Sequence, residues 1–318
     1  MDAQPPETVM AETAKAAPLP IAARAEGQGL FQALRRSRGA QLLTLIFPGA
    51  FWQITFFNLP LLIVIFISLV ERGTYGAVEI PLVFTLQNFV QFFDPLYLGI
   101  FGVSARIGLI VTGACLLVGY LLALYIAQAN VRWRGALLLL VMIPFWTNFL
   151  VRTYALKQLL AAEGLINSLL MGVGVIQAPL DLLFNEFAVV LGLAYGYLPF
   201  AVLPMYASIE KFDHSLMEAA ADLGASPRRA FLRVMLPLTL PGVVAALVLT
   251  FVPVVGAFIT PDIMGGGKVE MIGTLINRQF GVARNWPFGS AMSLVLMSLV
   301  LAGVIWYFRS SGQAKRTF

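Results

Sequence analysis

Few side chains in this 318-residue sequence could do covalent chemistry. There is one cysteine, Cys115, and one histidine, His214, so neither a disulfide framework nor a His/Cys metal cluster can be assembled. No serine or cysteine stands in a nucleophile–base pattern. The run Gly265-Gly266-Gly267-Lys268 lacks the spacing and the Ser/Thr of a G-x-x-x-x-G-K-[ST] phosphate loop, so the chain is not expected to bind ATP phosphates itself. The spacing that does carry a signal is mechanical. It lies in IEKFDHSLMEAAADLGASPRRAFLRVMLPLTLPG, residues 209–242.

Ser215 and Glu218 fit an S-x-x-E capping box, which predicts a helix starting at Ser215, and Glu218, Ala219, Ala220 and Ala221 propagate it. Gly224 stands where a left-handed residue closes a helix. Ser226 and Pro227 then read as the N-cap and first position of a second helix, which runs until Pro237 interrupts it. Two short helices at an angle result, with Gly224 as the elbow. The first has only about nine residues, too few to be stable alone in water, so it needs a partner surface or a local connector role. Leu216, Met217 and Leu223 suit a groove on such a partner.

These elements must be held by a body of unusual composition. Hydrophobic residues make up 59% and charged residues 12%, roughly half the usual charged share. Mean hydropathy is +0.84. A water-soluble enzyme, a disordered chain and a nucleic-acid binder are thereby excluded, and a membrane-embedded protein is predicted. A span needs about 20 apolar residues. Stretches without acids or bases occur at 39–70, 107–131, 135–151, 187–209, 234–261 and 285–308, which predicts six transmembrane helices. The uncharged stretch 164–180 is rich in Gly and polar amides and reads as an interfacial or loop helix. Pro48, Pro60, Pro144, Pro199, Pro204 and Pro253 fall inside these spans and imply packing within a larger assembly.

Basic residues set the orientation. Lys15, Arg24, Arg35, Arg36, Arg38, Arg132, Arg134, Lys211, Arg228, Arg229, Arg233, Arg309, Lys315 and Arg316 fall on one side. Arg72, Arg106, Arg152, Lys157, Lys268, Arg278 and Arg284 fall on the other. The excess places both termini in the cytoplasm. Residues 1–40 form a cytoplasmic tail, partly disordered and without the apolar core of a signal peptide. Its run at 30–39 is either a surface amphipathic helix or a solvated basic flank. The membrane domain is 41–310, with its loop at 210–237, and 311–318 is a second cytoplasmic tail.

The run EAAADLGASPRRAFLRVMLP resembles the EAA motif of ABC importer permeases, with Glu218, Ala219, Ala220, Gly224, Leu236 and Pro237 in the motif positions. Residues 143–160, 208–226, 261–268 and 284–293 further resemble spermidine/putrescine permeases of the PotB type, over roughly 40–310. The resemblance implies an all-α membrane protein of the type I ABC importer permease fold, with residues 215–224 as a cytoplasmic coupling helix. It also implies partners: an ABC ATPase dimer, a second homologous permease subunit and an extracytoplasmic substrate-binding protein. The chain itself would need no cofactor, ATP being bound by the partner, and would lie in a bacterial inner membrane. Importers of other small organic solutes and an ATPase-independent secondary transporter are the alternatives.

A polyamine path should offer carboxylates and aromatic faces. Asp262, beside Pro261 at the end of the fifth span, is the first candidate to meet the cation; it reads equally as a helix-end charge at the interface. Glu186 and Asp181 flank the start of span four. Trp146, Tyr154, Tyr195 and Tyr197 lie on or beside spans three and four and serve either the pathway or an interfacial belt. Asn148 serves either the pathway or helix–helix bonding.

Overall fold

The computed structural model describes residues 38–73 and 82–314. The expectations for the tail before residue 38 and for the last four residues lie outside them. Helix α1 (Arg38–Gln53) passes through a π-helical turn at Ile54–Asn58 into α2 (Leu59–Ser68). After an isolated antiparallel bridge between Val70 and Phe84 come α3 (Gln87–Phe92) and the 34-residue α4 (Pro95–Gln128). Then follow α5 (Val131–Trp146), α6 (Phe149–Leu160), α7 (Leu165–Gly172) and the 25-residue α8 (Glu186–Glu210). The loop region holds α9 (Ser215–Asp222), α10 (Pro227–Ala230) and a second π turn at Phe231–Met235. The chain ends with α11 (Leu236–Val255), α12 (Ile259–Gly265), α13 (Ile272–Phe280) and α14 (Trp286–Ala314).

Five helical stretches are long and apolar enough to cross a bilayer: Leu45–Ser68, Pro95–Gln128, Glu186–Glu210, Pro227–Val255 and Trp286–Ile305. A sixth exists if α5 and the segment Phe149–Gly172 are counted as one span bent by 90°. The sequence expectation of six spans thus holds in number only if the third is broken. The expected span 135–151 is not straight: its helix stops at Trp146. The second span also starts earlier than the uncharged stretch suggested. Asp94 caps it, its Oδ1 accepting from the Leu96 N–H at 2.9 Å, and Pro95 occupies the first turn. Arg106 lies within this helix, where it pairs with Glu186.

Residues from Ile63 onward form one compact unit whose centre is α8, with α4 running parallel to it and α11 antiparallel. The directions follow from paired positions. Arg106 meets Glu186 near the starts of α4 and α8, while Gly119 meets Ala201 and Val202 further along both. In contrast, Gly108 lies against Val255, and the Tyr120 hydroxyl lies 2.9 Å from that of Thr239. Ile107, Val111, Leu193, Val202, Met205, Ile209 and Val254 are buried in this core. A second cluster of Phe92, Ile272, Leu275, Phe288 and Met292 joins α3, α13 and α14 near the start of α4.

Lipid tails are as apolar as the side chains, so contact area alone does not drive these helices together; close packing must. Glycines supply it. A methyl group on Gly242 of α11 would lie 2.7 Å from the Pro204 carbonyl oxygen of α8, and backbone cannot be pushed aside cheaply. Gly242→Ala is therefore expected to destabilise the bundle by about 1–3 kcal/mol, an overpacking cost, and to lower its thermal midpoint in detergent. Gly113→Ala, where nothing lies within 4 Å, is the matched control and should leave the midpoint unchanged or raise it.

Candidate coupling loop and transport pathway

Helix α9 begins at Ser215 as the spacing predicts, but Ser215 is not its cap. Asp213 Oδ1 accepts from the Ser215 N–H at 3.0 Å, and the hydrogen bonds with Ser215 hold the Asp213 carboxyl below its ordinary range. No side-chain bond closes the S-x-x-E box. Glu218 is exposed and makes no ion pair within 4.0 Å among the described residues. The helix ends as a Schellman turn: Gly224 N–H bonds the Ala221 carbonyl at 2.8 Å and Ala225 N–H bonds that of Ala220 at 2.9 Å. Gly224 is left-handed, at φ +80°, which is the reason for glycine here. The space around it is open.

Two outward positions follow. Leu216 is exposed, and Leu223 is 89% exposed, while Met217 turns back against the core. Of the three apolar residues assigned to a partner groove, two are therefore free to enter one.

Beyond Gly224 the structure departs from the expectation of a second short helix stopped at Pro237. Ser226 occupies the N-cap position, without a side-chain bond, and Pro227 the first position. The helix then runs without interruption from Pro227 to Val255, 29 residues. Pro237 does not stop it because the hydrogen-bond ladder slips by one residue just before it: Leu236 N–H bonds the Phe231 carbonyl, five residues back. The proline ring would otherwise clash with a carbonyl four residues earlier. Thr239 Oγ1 donates to the Met235 carbonyl at 2.9 Å. Leu236 packs partly against the core. The exposed hook α9 is thus joined by a short turn at residues 223–226, with Gly224 left-handed, to a continuous helix that enters the centre of the bundle.

The pathway candidates are not gathered into one site. Asp262 lies in the first turn of α12, with its Oδ1 3.9 Å from Arg278 Nη2; Arg278 Nη1 also bonds Glu270 Oε1 at 2.8 Å. Glu186 starts α8 and is occupied by Arg106. Trp146 is exposed at the end of α5. Asn148 is spent as a cap, its Oδ1 accepting from the Leu150 N–H at 2.8 Å. Tyr195 lies on α8 with the Arg152 guanidinium carbon 5.8 Å from its ring centre. Trp146, Asn148 and Tyr195 therefore cluster loosely around the break in the third span, and both acids carry basic partners. Arg152, assigned by charge counting to an outer loop, is in fact buried. The signal available for it was its place in NFLVRTYAL, a lone cation in an apolar run four residues after a helix cap.

With the geometry in view, comparisons with known proteins are decisive for family. The profile of the family described as "Binding-protein-dependent transport system inner membrane component" matches residues 116–311. The spermidine/putrescine transport system permease protein PotB of Haemophilus influenzae is 40% identical over 260 residues, covering 82% of this chain and 90% of that protein. PotB of Escherichia coli K12 is 42% identical over 260 residues, covering 82% and 94%. The inner membrane ABC transporter permease protein YdcU of the same organism is 32% identical over 237 residues, covering 69% and 75%. Among solved structures, a chain of a bacterial ABC transporter that imports the acidic polysaccharide alginate superposes with TM-score 0.63 at 18% identity, covering 90% of this chain and 99% of that one. A chain of the alginate transporter in complex with its pentasaccharide-bound periplasmic protein gives 0.64 at 18% identity, covering 87% and 95%. These structures establish the type I permease fold, and the sequence match over most of the chain establishes kinship: the chain belongs to the inner membrane component family of binding-protein-dependent, ABC-type transport systems.

Proposed function

We propose that this permease subunit moves polyamines of the spermidine/putrescine class inward, driven by a separate ATPase. The observation that carries the mechanical part is the hook and rod: an exposed eight-residue helix joined at Gly224 to a continuous helix that reaches the packed core. Glu218, Ala219, Ala220, Gly224, Leu236 and Pro237 carry the coupling, α9 seating in a cleft of the ATPase with Leu216 and Leu223 toward it. Closure of the ATPase dimer displaces α9, and the rod passes that displacement into the bundle as a rigid-body switch. ATP is the partner's ligand; this chain binds no nucleotide. A second, homologous permease completes the pathway, and a substrate-binding protein delivers the cation from outside. Both termini are cytoplasmic in this arrangement. The substrate class is supported by the PotB relatives, which match along 82% of the chain. Asp262, Glu186 and the aromatics near the third-span break are the candidate contacts for the cation.

Reconstitution of the chain with its partners in vesicles should give ATP-dependent uptake of putrescine or spermidine that amino acids and sugars do not compete. Uptake of another solute in preference would overturn the substrate assignment. Glu218→Lys and Gly224→Asp should abolish uptake and substrate-stimulated ATP hydrolysis while membrane insertion stays intact; normal uptake by both would overturn the docking role of α9. Gly224→Ala meets only the left-handed backbone penalty of about 1–2 kcal/mol and should give an intermediate loss.

The Asp213 cap also predicts a pH dependence. Its folded-state pKa lies below the unfolded value of about 3.9, so its contribution is complete at neutral pH and vanishes as pH falls through the depressed value. Hydrogen exchange at Ser215 and Leu216, corrected for intrinsic rates, should accelerate in that acid range. In Asp213→Ala it should be fast throughout.

A further inference from the structure

The third span breaks at two consecutive extended residues, Thr147 (φ −74°, ψ 150°) and Asn148 (φ −56°, ψ 132°), and the segments on either side meet at 90°. A helix break strands the last carbonyls of α5, and within a bilayer that is tolerated only where protein groups take them up. Two donors converge on the Pro144 carbonyl: Thr147 Oγ1 at 2.7 Å and Arg152 Nη1 at 2.8 Å. Arg152 reaches back from α6 to do so. Its guanidinium carbon lies 6.0 Å from the ring centre of Phe145 on α5, 5.4 Å from Phe149 on α6 and 5.8 Å from Tyr195 on α8. It is only 7% exposed, and among the described residues no carboxylate lies within 4.0 Å.

An ionised residue inside a membrane domain normally finds an acid or marks a functional position. Here the charge is held by three aromatic faces and one helix-end carbonyl, each favourable for a planar cation. The three rings belong to three different helices, and the carbonyl belongs to the far side of the break. Lysine could offer its point charge to a ring but not a fork to ring and carbonyl at once.

We propose that Arg152 is a positioning residue: a cationic pin that fixes the angle between α5 and α6 and sets Phe145 against Phe200 and Phe149 against Gly196 on α8. Its link to transport rests on the importer reading above; its link to the bend does not. The test uses spin labels at the exposed positions 139 on α5 and 159 on α6, in a Cys115→Ala background, within the reconstituted complex. The parent should give one narrow inter-label distance. Arg152→Gln and Phe145→Leu should broaden or shift it, while Phe145→Tyr, which keeps a ring, should not. Phe145→Leu also carries the test should Arg152→Gln fail to insert. In putrescine uptake, Arg152→Gln should lower the maximal rate about tenfold or more with KM unchanged. An unchanged distance distribution in Arg152→Gln and Phe145→Leu would overturn the pin, as would a change confined to KM, which would make Arg152 a substrate contact. Failure of the parent to take up polyamine would instead refute the substrate assignment and leave the distance result standing.

Discussion

In hydrocarbon a backbone carbonyl has no water to turn to, and this constraint organises the whole chain. The sequence strains it repeatedly, with Pro48, Pro144, Pro199, Pro204, Pro241 and Pro253 inside helices. At three prolines the local answer is visible. Before Pro60 and before Pro237 the ladder loosens into a π turn, and in both cases the turn ends two residues ahead of the proline. At the third span no such slip occurs; the helix ends, and side-chain donors from Thr147 and Arg152 take the Pro144 carbonyl instead. Asn148 then restarts the chain as a cap. One problem thus has two solutions, continuous rods and a pinned corner, and the bundle uses each in a different place.

In the proposed coupling role, the rods would give the loop its mechanical reach. A coupling helix followed by a flexible joint would dissipate any displacement. Here the joint is the short turn at residues 223–226 with Gly224 left-handed, and from Pro227 to Val255 the chain is a single helix packed against α8 and α4. The packing depends on backbone approach at Gly242, so the element that would receive the push is also among the least compressible in the protein.

Composition and periodicity made the membrane class, the span count and the helix boundaries at Ser215 and Gly224 legible, because each rests on local chemistry: apolar run length, a glycine and a proline. The misreadings came where a distant residue decides the local outcome. Arg106 looked like a helix boundary, but α4 continues through it, and it pairs with Glu186, 80 residues on. Ser215 looked like a cap because the S-x-x-E pattern is common, yet Asp213 stands closer to the first free amide and takes it. Pro237 looked like a terminator because a proline clash was assumed to end the ladder and not to shift it. Arg152 looked like loop charge, since nothing in its own neighbourhood announces that Tyr195 will be above it. The pathway acids were readable as residues; their basic partners, Arg106 and Arg278, were not readable as partners.

The π turn at Phe231–Met235 has a geometric effect of its own. An inserted residue advances a helix by one step of its winding, about 100°, without adding a full turn of length. The azimuth of everything before Leu236 is therefore offset from the helical phase of the core by that angle. The bearing on which the chain leaves Pro227 toward Gly224 is indexed to this offset. Two chains with identical loop helices and different numbers of such slips would present them on different compass headings.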